Sequence, residues 1–61
     1  MSANTPLHAL PQGFRDEERD LKQAGITSWG ELRDLKDHNL SRLVATGRST
    51  SRNLKRLRGM A

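Results

Sequence analysis

An all-α fold, a compact bundle of four short helices, is what the sequence predicts, and three observations carry it. Strand signals are lacking throughout the 61 residues. Apolar residues instead recur in short helical segments, each bracketed by glycines or by cap residues, at Gly25, Ser28, Asp37, Gly47, Thr50 and Gly59. An apolar content of 33% with 3% aromatics limits the core to about a dozen side chains, which is enough for one small domain.

Residues 1–12 hold both prolines, small polar residues and no clear period, so they read as a flexible N-terminal arm on which Leu7 and Leu10 dock loosely. Residues 13–61 read as the single helical domain. From Phe14 to Ala24 the residues favour helix, and Asp16, Glu17 and Glu18 complement the dipole at its start. Gly25 is placed to end it, with Phe14, Leu21 and Ala24 on its buried face. A second helix opens at Ile26–Leu32 with Thr27 or Ser28 as N-cap, and the Ser28 to Glu31 spacing allows a capping box before an end near Leu35 or Lys36.

Asp37, His38 and Asn39 offer a cap for a third short helix that holds Leu40, Leu43 and Val44 and stops at Thr46-Gly47. The last helix starts at Ser49 or Thr50 and runs to about Arg58, with Gly59 as the residue just past its end. The expected core is Phe14, Leu21, Ala24, Ile26, Trp29, Leu32, Leu35, Leu40, Leu43, Val44, Leu54 and Leu57. Trp29, beside Ile26 and Leu32, is assigned to that core rather than to stacking on a partner. With no cysteine, the chain has neither disulfides nor thiolate metal ligands and relies on helix packing, self-association or a partner. The N-terminus has no basic leader region, and nothing approaches the roughly 20 apolar residues of a membrane span. A cytoplasmic protein is expected.

Charge is segregated along the chain. Residues 41–61 carry six cations and no acid, whereas residues 1–40 carry five cations and seven acids, so the net +4 lies at one end. In the last helix Leu54 and Leu57 share one side while Arg52, Lys55 and Arg56 project from the other. A helix start carries about half a positive charge and unpaired N–H groups, and acids usually occupy its first turn. Here Arg48 and Arg52 stand there instead, at a cost of a few tenths of a kcal/mol unless an anion arrives. Free amides at residues 49–51 and the hydroxyls of Ser49 and Thr50 complete a seat for a phosphate oxygen. The same residues also fit a plain turn, in which Gly47 only ends one helix, Ser49 or Thr50 only caps the next, and the arginines form a solvated face.

The run Leu21-Lys22-Gln23-Ala24-Gly25-Ile26-Thr27-Ser28-Trp29-Gly30-Glu31-Leu32, followed by Gly47-Arg48-Ser49-Thr50, resembles the helix-hairpin-helix class over residues 14–58. It is similar to the C-terminal domain of the bacterial RNA polymerase α subunit, to the N-terminal helical domain of recombinases, and to small bacterial domains of the DUF4332 type. The resemblance implies a helix-hairpin-helix, or SAM-like, bundle. Gly47 would be the hairpin glycine that lets the chain turn, Arg48 and Ser49 the residues facing phosphate, and Thr50 the small polar residue at the helix start. Approximately where the polymerase domain places an arginine and an asparagine for the minor groove, this chain has Asp16 and Arg19. That departure speaks against polymerase-like groove reading.

Other features carry less. His8 and His38 lie thirty residues apart with no convergent ligands, so no metal or cofactor is expected. Asp16, Glu17, Glu18 and Asp20, interleaved with Arg15, Arg19 and Lys22, read as an exposed helix laced with i,i+4 pairs worth about 0.3 kcal/mol each. Ser49, Thr50 and Ser51 have no positioned base, and an enzyme or a small-molecule substrate is not expected. A membrane-surface helix is disfavoured, since Leu54 and Leu57 are needed inside. The expected function is weak, sequence-independent binding of double-stranded nucleic acid, DNA or RNA, through backbone phosphate. Gly47, Arg48, Ser49, Thr50, Arg52, Lys55 and Arg56 carry it, and DNA binding implies association with the nucleoid. The competing expectation is a protein-interaction module whose basic helix docks an acidic protein, or a second copy of itself as a weak homodimer.

Overall fold

The computed structural model describes residues 5–7 and 10–61. The readings that fall on residues 1–4 and 8–9, His8 among them, lie outside the described residues. The chain order is α1 (Arg15–Gln23), α2 (Trp29–Arg33), α3 (Asp37–Thr46) and α4 (Ser51–Met60), with no strand among the described residues. The all-α bundle of four helices is therefore the fold. Its radius of gyration of 10.1 Å matches the about 10.5 Å of a globule of this length.

Helix α1 ends as its sequence dictates. Gly25 takes φ +81, the Ile26 N–H donates to the Leu21 carbonyl at 2.9 Å and the Gly25 N–H to the Lys22 carbonyl at 3.1 Å. This pair of bonds is a Schellman motif, and it turns Ile26 back toward the core. Ser28 caps α2, its hydroxyl oxygen accepting from the Glu31 N–H at 3.3 Å. Helix α3 begins differently from expectation. Lys36 stands at its N-cap without a side-chain bond, and Asp37 turns outward to Arg58. Thr50 caps α4 through the Asn53 N–H at 3.2 Å, and α4 runs through Gly59 to Met60 rather than ending before Gly59.

Both α2 and α3 pack on α4, so the last helix is the hub of the bundle. Leu32, Leu54 and Leu57 are fully buried, with Phe14, Leu21, Trp29, Leu35 and Leu40 around them. Ile26, Leu43 and Val44 are half-buried at the margin. Ala24 is exposed, a correction to the expected core, because the Schellman turn rotates its Cβ outward once Leu21 has taken the inner position.

Residues 5–7 are tied to the helical domain at the start of α2. Pro6 forms an antiparallel bridge with Ser28, flanked by bonds from the Leu7 N–H to the Thr27 carbonyl and from the Trp29 N–H to the Thr5 carbonyl, both 2.9 Å. Pro6 has no N–H to give and sits at the bridge position where none is required. Leu7 is buried against the core, which adds one side chain that residues 13–61 alone do not supply.

No helix among the described residues is long and apolar enough to cross a membrane. Two substitutions test the packing. Leu57→Ala is expected to cost about 2–5 kcal/mol, most of the stability of a domain this small. Gly25→Ala is expected to cost about 1 kcal/mol through its positive φ. Urea unfolding followed by circular dichroism measures both.

Candidate functional site

The turn from α3 to α4 is held by α1. Gly47 closes α3, its N–H donating to the Leu43 carbonyl at 2.9 Å, and then leaves in extended conformation. The next two amides converge on one oxygen of Asp20: the Arg48 N–H reaches Oδ2 at 2.9 Å and the Ser49 N–H at 2.8 Å. The Ser49 hydroxyl donates to the same oxygen. One turn earlier on α1, Glu17 accepts from the Thr50 N–H at 3.0 Å and from the Asn53 side-chain amide at 3.4 Å.

The amides expected to be free for phosphate are thus satisfied inside the molecule at Ser49 and Thr50, and at Arg48 as well. Ser49 is buried at 5% exposure, so its hydroxyl faces Asp20 rather than solvent. Glu17 at 2% and Asp20 at 6% exposure are equally enclosed. The reading of these acids as a solvated, i,i+4 paired face is corrected. They supply from another helix the negative charge that the first turn of α4 lacks.

The signal for this was present. At 100° per residue Glu17 falls on the same face as Phe14 and Leu21, and a carboxylate on an apolar face must be given donors there. A helix start without its own acid offers them.

Gly47 has a role other than turning. Its φ of −122° suits any residue, but a Cβ added there would overlap the Asp20 carboxylate. The absent side chain is what lets Asp20 reach the hairpin backbone. Burial pushes the Asp20 carboxyl up; the hydrogen bonds from Ser49 and Arg48 and the charge of Arg19 outweigh that and hold it below its ordinary value of 3.8.

The remaining predicted residues point outward. Arg48, Thr50, Arg52, Lys55 and Arg56 are exposed. Among the described residues the ion pairs are Arg33 with Asp34 at 3.6 Å and Arg58 with Asp37 at 2.7 Å, so Arg48, Arg52, Lys55 and Arg56 have no carboxylate partner. The Arg56 guanidinium lies 5.8 Å from the Phe14 ring centroid, within cation–π range, which steadies it over the start of α1. Arg58 is spent structurally: it donates to the Leu35 carbonyl at 3.0 Å and to Asp37, tying the end of α4 to the start of α3. That bond to Arg58, with its charge, lowers the Asp37 carboxyl. No group of three metal-ligating side chains occurs among the described residues.

The bonds accepted by Asp20 and Asp37 set an acid limit. Asp20 has a lower pKa folded than unfolded, so its stabilisation is complete above the unfolded value of 3.8 and is lost as pH falls through the folded one, with Asp37 acting in the same direction. Stability measured by urea titration is expected to fall below about pH 4, and Asp20→Asn to flatten that fall. Gly47→Ala is expected to cost about 1–3 kcal/mol by pushing the carboxylate off the amides. A cost near zero would show that the approach is not tight.

No curated protein and no solved structure matches the chain. A family described as a domain of unknown function, DUF4332, matches residues 11–61, from the segment before α1 to the end of α4. The hairpin, both of its carboxylate clamps and the basic helix all fall inside that match, and the chain belongs to the DUF4332 family.

Proposed function

We propose that the domain binds double-stranded nucleic acid weakly and without sequence preference, contacting backbone phosphates through the side chains of Arg48, Arg52, Lys55 and Arg56. The single observation that carries the reading is that these four cations, at the hairpin and along α4, are exposed and have no carboxylate partner among the described residues. Basic side chains that neutralise phosphates supply affinity with no dependence on base identity. The resemblance to helix-hairpin-helix domains supports the same reading, with Gly47-Arg48-Ser49-Thr50 as the hairpin.

The roles within the motif are redistributed. Gly47 and Ser49 serve as scaffold, because the first admits Asp20 and the second binds it. Thr50 caps α4, and its amide is taken by Glu17. Contact therefore rests on long side chains, which suits a weak binder. A cytoplasmic, nucleoid-associated location follows from this reading.

Occupation of the amides also favours a second reading, a module that docks an acidic protein, since long cations accept carboxylates as readily as phosphates. Fluorescence anisotropy of a labelled duplex of about 20 base pairs, titrated over about 25–200 mM salt beside heparin, separates the two. The expected result is tighter binding to duplex than to heparin, with a log–log salt slope of about −2.7 to −3.6 from three to four phosphates. Arg52→Glu with Arg56→Glu is expected to weaken binding by roughly tenfold or more, while Arg33→Gln leaves it unchanged. Binding no better than to heparin would reject the nucleic-acid reading and leave the acidic protein.

A further inference from the structure

We propose that Gly59 is a point of contact with the duplex: the bare backbone that it leaves on the outer face of α4, beside Lys55 and Arg56, is where a sugar–phosphate strand lies directly against the helix. The inference rests on the nucleic-acid reading given above and extends it from the reach of long side chains to the surface of the helix itself.

No feature of the described structure calls for a glycine at this position. The positive φ values among the described residues belong to Gly13 and Gly25, so Gly59 keeps ordinary helical backbone. It is exposed, and a Cβ added there would meet no atom of the described residues within 4 Å, in contrast to Gly47, where a Cβ would overlap Asp20. Nor does it end the helix, since α4 continues to Met60 and the Ala61 N–H donates to the Arg58 carbonyl at 3.2 Å. Glycine is the poorest helix former after proline, so in a ten-residue helix it weakens the element and relieves no internal contact.

Its place on the helix shows what the missing side chain leaves open. Arg52, Lys55, Arg56 and Gly59 follow the i, i+3, i+4, i+7 spacing of a single face, opposite Leu54 and Leu57, and Gly59 falls between the directions of Lys55 and Arg56. Helical side chains lean toward the N-terminus, so a side chain at 59 would cover the turn from which those two cations leave the helix. Without it that turn is open, with a cation on either side. Arg56 is steadied over Phe14, and Asp37, the acid that feels the Lys55 charge, is bonded by Arg58. Arg58 also stands in the last turn of α4, where a cation offsets the negative end of the helix dipole that would repel a phosphate. From Arg52 to Gly59 the face runs about 10 Å, the rise of about three phosphates on one strand. Close approach of a ligand to the backbone is what a glycine permits there, and the surrounding charge selects a polyanion as that ligand.

Gly59→Leu in the full chain tests the contact, by the duplex anisotropy titration across salt and by a thermal melt followed by circular dichroism. Leucine is a strong helix former, so the melting temperature is expected not to fall. Duplex binding is nonetheless expected to weaken, with a log–log salt slope shallower by about 0.9, one phosphate fewer. Ala45→Leu, on the exposed side of α3, is the control and is expected to bind as the wild type does. Equal binding by wild type and Gly59→Leu, or an equal loss in Ala45→Leu, would overturn the proposal while leaving the nucleic-acid reading intact. A wild type that binds duplex no better than heparin rejects that reading, and the contact with it. Should Gly59→Leu lose its helical circular dichroism, Gly59→Ala decides in its place, because it adds one methyl group and favours helix: weaker binding supports the contact, and unchanged binding overturns it.

Discussion

The bonds that Glu17 and Asp20 accept from the start of α4 are the constraint on which the rest of the bundle depends. Each side needs the other. Two carboxylates enclosed at 2% and 6% exposure are tolerable only when given donors, and a helix start with cations in place of acids is tolerable only when given negative charge. Joining them fixes an antiparallel register between α1 and α4, in which Asp20 meets Ser49, Glu17 meets Thr50 and Asn53, and Phe14 meets Arg56.

A second clamp works at the other end of α4, where Arg58 bonds the Leu35 carbonyl and Asp37. Between the two clamps lie Leu54 and Leu57, the fully buried centre of the core. Polar bonds thus set the ends of the hub helix, while apolar packing supplies its middle. The arrangement also decides which charges face outward. Glu17, Asp20, Asp37 and Arg58 are consumed by the clamps, whereas Arg48 at the hairpin and Arg52, Lys55 and Arg56 on the outer side of α4 stay exposed and unpaired among the described residues.

Much of this was legible in the sequence. Capping residues and glycines located all four helices to within two or three residues, because Ser28, Gly25, Thr46-Gly47 and Thr50 act through local backbone chemistry, while the end of α2, expected near Leu35 or Lys36, falls at Arg33. The basic outer face of α4 followed from helical spacing alone. What escaped were long-range pairings. Leu7 enters the core only because residues 5–7 find residues 27–29, and no local pattern announces that bridge. The acids of α1 were read as solvated because their neighbours in sequence are basic, although Glu17 shares the apolar face with Phe14 and Leu21. Gly47 was read through the freedom of its backbone, whereas the structure uses the space that its missing side chain leaves.

Because the counter-charge of α4 is borrowed from a helix 29 residues upstream, the segment is not a helix in its own right. It has ten residues, with Arg52 and Arg56 one turn apart and like-charged, and isolated helices shorter than about 12–15 residues are marginal even without such repulsion. Order in α4 must therefore arrive together with closure of a long loop, not before it. The folding of α4 is accordingly coupled to the far end of the domain: damage to α1 dissolves the basic helix, and with it the cationic face that the helix carries.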